Sequence, residues 1–251
     1  MLNMISKNTI KFIKSLDQKK YRKQSGLFVA EGPKVVGDLL QFGYSPTAIY
    51  ATEDYMNPSV SDIQTISVDE LHRISFLQHP QQVLALFSIP TQNDSFVIPS
   101  HGLYLALDGV QDPGNLGTII RLCDWFGIKT IYCSTDTADA WNPKVIQATM
   151  GSIARVNIIY IDLKELMERT TIPVYGTFLD GQNIYNQTLS EDAIIVMGNE
   201  GKGISINLRP YINRKLYIPS YSQSETAESL NVAIATAITC AEFRRRLSSK
   251  F

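Results

Sequence analysis

The sequence predicts an α/β protein of two domains, a small α/β domain followed by a larger one built on a parallel sheet. Along the chain, short apolar runs alternate with helical stretches, which is the pattern of parallel strands joined by helices. Between Pro90 and His101 lies a polar segment bounded by prolines, which is typical of a linker. We therefore place the domains at residues 1–97 and 98–251.

The first domain is predicted to contain short elements. Glu31, Gly32 and Pro33 break a strand and open a helix that continues to Leu40. The lysine-rich stretch before that strand is predicted to be a turn. The other predicted elements are a helix over Thr9 to Leu16 and strands over Leu27 to Ala30, Ala48 to Ala51 and Val83 to Phe87.

The second domain is predicted to hold six strands in a sheet covered by helices on both faces. These strands are Leu103 to Leu107, Thr130 to Cys133, Val156 to Ile161, Val174 to Phe178, Ile194 to Met197 and Leu216 to Ile218.

The junction after the first of these strands is the most informative part of the chain. Asp108 and Gly109 end the strand, a turn follows, and Asn115 stands where a helix N-cap is expected. The next helix is predicted to bury one stripe: Leu116, Ile119, Ile120 and Cys123. Because Arg121 lies outside that stripe, this pattern does not require Arg121 to be buried.

Composition excludes several classes of protein. Hydrophobic residues make up 44% and charged residues 19%, and no apolar run is long enough for a membrane helix. The N-terminus lacks the apolar segment of a secretory signal. Three cysteines without CxxC spacing and three histidines without ligand spacing predict neither disulfides nor a metal site, and a reducing cytosol fits best.

Positive charge is concentrated at the start of the chain, although the net charge is −1. Residues 1–23 contain seven cations and the single acid Asp17, a local charge of +6 that leaves −7 for the rest. Such a segment can neutralise the phosphates of a nucleic acid, and a solvated helix face is the alternative. The candidate nucleic-acid contacts are Lys19, Lys20, Arg22 and Lys23.

A glycine-rich turn, residues 198–203 (GNEGKG), follows the strand Ile194 to Met197. Such turns let the backbone approach a ligand closely, and Asn199 and Gly201 are candidate contacts there. A phosphate cradle is the competing interpretation. It is disfavoured because the turn lacks the Walker spacing and no GxGxxG follows a strand.

Three stretches in this order resemble the signatures of the SpoU/TrmH family of RNA 2′-O-ribose methyltransferases, within the SPOUT class. They are Leu105 to Gly127, Ile194 to Ile204, and Ile218 to Ala235 with its core Glu228-Ser229-Leu230-Asn231. The resemblance implies a trefoil-knotted parallel-sheet domain, S-adenosylmethionine as cofactor, and a homodimer. The stretch Tyr21 to Pro33 is similar to the ribosomal-protein-like RNA-binding domain that precedes the catalytic domain in many members.

The resemblance also implies roles for single residues. Gly198, Ile218 and Leu230 carry over as cofactor contacts, with Thr177 beside the adenine. The implied catalytic set is Arg121, Asn115, Glu200, Ser229 and Asn231. For Arg121 two accounts stay open: a desolvated guanidinium activates the ribose hydroxyl, or it clamps a phosphate and stabilises the developing alkoxide. We favour the clamp, because a guanidinium is a poor base.

The predicted function is methyl transfer to a ribose 2′-hydroxyl of RNA, with ribosomal RNA favoured by the N-terminal domain. The alternatives are a tRNA ribose methyltransferase and a catalytically silent RNA-binding or ribosome-assembly protein; base methylation is disfavoured by the SLN core. One departure from the family pattern is the loop Tyr221 to Ala227, which is longer than usual and lacks glycine. We therefore expect this loop to close over the cofactor differently from the shorter loop of other family members.

Overall fold

A computed structural model describes residues 4–55, 62–91, 98–222, 224 and 228–246. The chain divides into two compact units. The first comprises Met1–Thr91 with Asp139–Arg155, and the second comprises Gln92–Ala138 with Val156–Phe251. The loop Tyr221 to Ala227 falls largely outside the described residues.

The first unit is built on a four-stranded sheet of order β1-β4-β2-β3. Strand β4 is antiparallel to β1 and β2, whereas β2 and β3 are parallel. Therefore β1, β2 and β3 all end at the same edge. The elements are α1 (Lys7–Ser15), α2 (Lys19–Ser25), β1 (Leu27–Glu31), α3 (Pro33–Gln41), β2 (Pro46–Ala51), β3 (Gln64–Thr65), α4 (Val68–Ile74) and β4 (Val83–Ser88).

Two helices of this unit differ from the sequence prediction, and the short strand β3 was also not predicted. The lysine-rich stretch is the helix α2 and not a turn, because Lys, Arg and Gln are good helix formers and Gly26 ends the helix in the left-handed conformation at φ +67°. Helix α4 was not predicted. Ser67 and Glu70 form a complete capping box at its start, in which each side chain accepts a backbone N–H of the other.

The segment Asp139–Arg155 belongs to the first unit, whereas the sequence prediction included it in the second domain. It contains the helix α6 (Pro143–Ala148). Asp139 pairs with Arg22, which lies 117 positions earlier, and the Trp141 ring lies 4.8 Å from that of Phe28. Arg155 pairs with Asp38 at 3.0 Å. Contacts over such distances leave no local pattern in the sequence.

The second unit is built on a six-stranded sheet of order β10-β8-β9-β5-β6-β7, in which every pair is parallel. The strands and helices are β5 (Leu103–Asp108), α5 (Pro113–Trp125), β6 (Thr130–Cys133), β7 (Asn157–Tyr160), α7 (Leu163–Arg169), β8 (Val174–Asn183), β9 (Ala193–Gly198), β10 (Arg214–Tyr217) and α8 (Val232–Arg245). All six predicted strands are present, and β8 is longer than predicted.

The order of the strands reverses between β5 and β9. From β5 the chain continues outward to β6 and β7, and it later returns to the other side of β5 through β8 and β9. Ligands of parallel α/β sheets bind where the strand order reverses in this way. The junction singled out from the sequence lies at this point.

The α5 stripe is buried as predicted, since Leu116, Ile119, Ile120 and Cys123 are each 0% exposed. Strands β8 and β10 approach closely, because a Cβ on Gly181 would lie 2.5 Å from the Leu216 carbonyl carbon. The trefoil knot implied by the resemblance stays a prediction. Within the described residues, no helix is long and apolar enough to cross a membrane.

The pair between Arg22 and Asp139 yields a test of the first unit. The Arg22 side chain is 2% exposed, so Asp139→Ala leaves a buried cation without its counter-ion. We expect the free energy of unfolding to fall by about 3 kcal/mol in urea titrations. Asp38→Ala is the control, because Asp38 pairs with the more exposed Arg155 and its loss should cost about 1 kcal/mol or less. Equal losses in the two variants would contradict this account.

Candidate active site

The turn between β5 and α5 is held by its own polar groups. Gly109 has φ +69°, a conformation that glycine adopts readily. Asp112 is the N-cap of α5, and its carboxylate accepts a hydrogen bond from the Asn115 amide at 2.8 Å. The prediction that Asn115 caps the helix is therefore wrong. Pro113 occupies the first turn of the helix, where its missing N–H costs nothing, so the cap falls on the preceding aspartate.

Asn115 is instead the centre of a hydrogen-bond network that joins three segments of the second unit. Its side-chain nitrogen donates to Glu200 Oε1 at 3.0 Å. Its side-chain oxygen accepts from Asn231 Nδ2 at 2.9 Å. Asn231 is the N-cap of α8, where its oxygen accepts from the Ala233 and Ile234 amides. The structure therefore brings Asn115, Glu200 and Asn231 together, one from each predicted signature.

Glu200 is held as a carboxylate. Its oxygens accept from the backbone amides of Gln111 at 3.3 Å and Asp112 at 3.2 Å, in addition to Asn115. Partial burial raises the pKa of Glu200, but the bond from Asn115 and those from the backbone amides outweigh it, so the pKa lies below its ordinary value. A carboxylate held in this way orients its neighbours and is a weak proton acceptor.

The turn after β9 is fixed by Asn199. Its side-chain nitrogen donates to the Gly109 carbonyl at 2.7 Å, which ties this turn to the one after β5. Its side-chain oxygen accepts from the Gly201 and Lys202 amides, each at 3.0 Å. The Asn199 side chain is therefore engaged within the protein, and its backbone is the part that remains available to a ligand.

Gly198 is required by the packing of this turn. A Cβ at this position would lie 2.2 Å from the Gly203 carbonyl carbon and 2.3 Å from the Ile204 nitrogen. Gly201 has no such constraint, because the nearest atom to a Cβ there is Asn199 Oδ1 at 3.8 Å. The close return of the backbone explains the glycine without any ligand.

The other predicted cofactor contacts lie around the same edge of the sheet. Thr177 is half-buried on β8, and its hydroxyl lies 3.8 Å from Met197 Sδ on β9. Ile218 is half-buried just after β10, and Leu230 is 49% exposed just before α8. Ser229 is also exposed. Half-covered apolar side chains of this kind fit an adenine or a thioether chain.

Arg121 lies on the exposed side of α5, as its position outside the buried stripe predicted. Its guanidinium makes no hydrogen bond or ion pair with the part of the chain that the structure describes. It therefore differs from the neighbouring network, in which every polar group has a partner. An exposed guanidinium without a partner is suited to binding a phosphate or carboxylate in two-point geometry.

The predicted RNA contacts lie in the first unit, on α2. Lys19, Lys20 and Lys23 are exposed. The prediction for Arg22 is wrong: its side chain is buried, pairs with Asp139, and donates to the Leu16 and Asp17 carbonyls at 2.7 Å. Charge along the sequence does not distinguish a buried cation from an exposed one.

Sequence reasoning missed several groups that shape the site. The Asp108 carboxylate accepts from the Ser205 amide at 2.7 Å, and the Gln111 and Asp112 amides bind Glu200. These groups follow the ends of the predicted strands β5 and β9, and that position in the sequence could have indicated them. The structure shows no group of three or more His, Cys, Asp or Glu residues suited to a metal ion within its described ranges.

Comparisons with known proteins agree with this geometry. Residues 102–241 match the SpoU rRNA Methylase family, and residues 7–85 match the MRM3-like substrate binding domain. The 23S rRNA (guanosine(2553)-2′-O)-methyltransferase RlmP of Bacillus subtilis is 32% identical over 91% of this chain and 93% of its own length.

Solved structures are similar over nearly the whole chain. A TrmH-family protein from Porphyromonas gingivalis has 42% identity and a TM-score of 0.86, covering 97% of this chain and 100% of its own. An AdoMet-bound rRNA methyltransferase from Sinorhizobium meliloti has 30% identity and a TM-score of 0.85, covering 96% and 95% of the two chains. These matches agree with the parallel-sheet unit and with its three signatures. The chain therefore belongs to the SpoU rRNA methylase family.

Proposed function

We propose that this protein transfers a methyl group from S-adenosylmethionine to a ribose 2′-hydroxyl of ribosomal RNA. The observation that carries the proposal is the network from Glu200 through Asn115 to Asn231, which brings the three family signatures to one edge of the sheet beside the helix of Arg121. Ribosomal RNA is favoured because the relative from Bacillus subtilis bears the name of a 23S rRNA enzyme and residues 7–85 match a substrate-binding domain.

The cofactor supplies an electrophilic methyl group, and the residues must hold it and align the ribose. The backbone of the Gly198–Gly203 turn, including Asn199 and Gly201, would contact its polar groups. The side chains of Thr177, Ile218 and Leu230 would cover its apolar parts, since all three retain exposed surface at that edge. The AdoMet-bound Sinorhizobium meliloti structure supports this cofactor.

Transfer would form a carbon–oxygen bond at the 2′-oxygen, break the carbon–sulfur bond of the cofactor, and release the hydroxyl proton to water. In this proposal Arg121 binds the phosphate next to the target ribose and stabilises the developing alkoxide. Glu200 and Asn115 orient the turn and the start of α5. Ser229 and Asn231 contact the substrate from the start of α8, where Asn231 already holds Asn115.

A homodimer and a cytoplasmic location complete the proposal. Helices α5 and α8 leave large apolar side chains uncovered: Trp125 is 84% and Ile234 52% exposed. A second copy would remove this surface from water. The three cysteines are buried and unpaired, which suits a reducing compartment.

Arg121 provides the first test. Arg121→Ala should lower the single-turnover rate of methyl transfer to ribosomal RNA about 10²–10⁴-fold, while cofactor affinity measured by calorimetry stays unchanged. Arg121→Lys should keep part of the activity if the side chain clamps a phosphate. A lysine that acted as a base would give activity rising with pH between about 6 and 10.

The product must be ribose-methylated nucleotides after digestion of the RNA. Arg169→Ala is the matched control, since Arg169 is exposed on α7 and pairs with Glu165. Absence of transfer by the folded wild-type protein would favour the silent RNA-binding protein. Full activity in Arg121→Ala would remove the residue from the mechanism.

Gly198 tests the cofactor turn. Gly198→Ala places a methyl group 2.2 Å from a backbone atom, so the turn must open. We expect the free energy of unfolding to fall by about 1–3 kcal/mol and the affinity for S-adenosylmethionine to decrease. Gly37→Ala, on helix α3 of the first unit, is the control and should retain both, because no atom lies within 4 Å of a Cβ at that position. Urea unfolding and calorimetry measure the two effects. Cofactor affinity that falls equally in both variants would argue against this assignment.

The lysines of α2 test the RNA surface. The triple variant Lys19→Ala, Lys20→Ala, Lys23→Ala should reduce the slope of log affinity against log salt by about two units. Removing Lys129, Lys144 and Lys164, which are also exposed, controls for the loss of three charges. Equal slopes for wild type and the α2 variant would show that these lysines form only a solvated face.

A further inference from the structure

The first unit has a crevice of about 410 Å³ at the edge where β1, β2 and β3 end. Its lining residues are Pro33, Thr52, Asp54, Val68, Leu71, Pro80, Gln81 and Gln82. They follow the three strands or directly precede β4. The volume of the crevice lies in the range of small-ligand sites.

One end of the crevice is a fixed carboxylate. The Thr52 hydroxyl donates to Asp54 Oδ1, and Gln82 Nε2 donates to Asp54 Oδ2 at 2.9 Å. The bond from Thr52, and then that from Gln82, hold the pKa of Asp54 below its ordinary value. Each carboxylate oxygen can accept more than one hydrogen bond, so both retain capacity for a ligand.

The backbone at Gln82 is strained in a way that maintains this arrangement. Its φ is +47°, and Met150 is the one other non-glycine residue with positive φ among the described positions. The Gln82 carbonyl accepts from the Thr52 amide at 2.8 Å, while its side chain reaches Asp54. Strained residues of this kind occur preferentially where a ligand is held.

Four of the eight residues that line the crevice are apolar. They are Pro33, Pro80, Leu71 and Val68, and Val68 is 60% exposed at the start of α4. This apolar half of the lining can pack against a flat aromatic group, whereas the Asp54 carboxylate repels phosphate and favours a group that presents N–H donors. Among RNA bases, guanine offers two parallel donors, N1–H and N2–H, that match the two oxygens of a carboxylate.

We propose that this crevice binds an unpaired guanine of the substrate RNA, with Asp54 accepting hydrogen bonds from its Watson–Crick edge. The proposal rests on the proposed function, because it takes RNA as the substrate. It assigns base recognition to Asp54 and leaves phosphate binding to the lysines of α2. The crevice would then select the RNA at a nucleotide other than the one that is methylated.

The test measures fluorescence anisotropy of the full-length protein with four labelled single-stranded RNA heptamers, UUUGUUU and its counterparts with A, C or U at the centre. The wild type should prefer the guanine heptamer roughly tenfold. Asp54→Asn should lose that preference, because an amide offers one acceptor in place of two. Glu53→Gln, which makes the same charge change at an exposed neighbouring residue, should retain it.

A second variant, Val68→Trp, fills the crevice without a change of charge and should weaken binding of the guanine heptamer alone. An equal preference in wild type and Asp54→Asn would overturn the proposal. So would an equal gain of affinity for all four heptamers in Asp54→Asn, since the carboxylate would then only repel phosphate. If the protein methylates ribosomal RNA but shows no Asp54-dependent preference for guanine, only the guanine site is rejected. If it shows that preference but transfers no methyl group, only the proposed function is rejected.

Discussion

The second unit depends on the hydrogen bonds of the Asn115 side chain. Parallel strands bring their carboxyl ends to one edge, but they do not fix the loops that follow. Asn115 fixes them, because it donates to Glu200 in the turn after β9 and accepts from Asn231 at the start of α8. Glu200 in turn holds the amides of Gln111 and Asp112. One amide side chain therefore positions three segments that are far apart in the sequence, and the exposed Arg121 is carried on the same helix.

In the first unit, Arg22 was predicted to bind RNA, but its side chain is buried and stabilises the fold. Arg22 belongs to a basic stretch, yet its guanidinium joins the end of α1 to Asp139 in a segment that follows much later in the chain. The exposed lysines around it remain available to phosphates, whereas the crevice beside Asp54 offers acceptor oxygens. If both proposals hold, cations on α2 and a carboxylate at the sheet edge supply this unit with two separate chemistries for RNA.

Much of this could be predicted from the sequence because strands and buried helix stripes leave local periodic patterns. The six strands of the second unit and the stripe of α5 are examples. The capping box at Ser67 and Glu70 was also visible in the sequence, though its helix was not predicted. What could not be predicted depends on partners distant in the chain. Asn115 as a bridge, Arg22 as a buried ion and the position of Asp139–Arg155 all follow from such contacts, and no periodicity encodes them.

We propose that this site methylates ribose in ribosomal RNA. Mass mapping of 2′-O-methyl groups in total RNA tests it most directly, in cells that carry this gene and in cells from which it has been removed. The account predicts that one 2′-O-methyl group disappears from ribosomal RNA and returns when the wild-type gene is restored, but not when the restored gene encodes Arg121→Ala. An unchanged methylation map would contradict the claim, and loss of a methyl group from tRNA alone would contradict the choice of substrate.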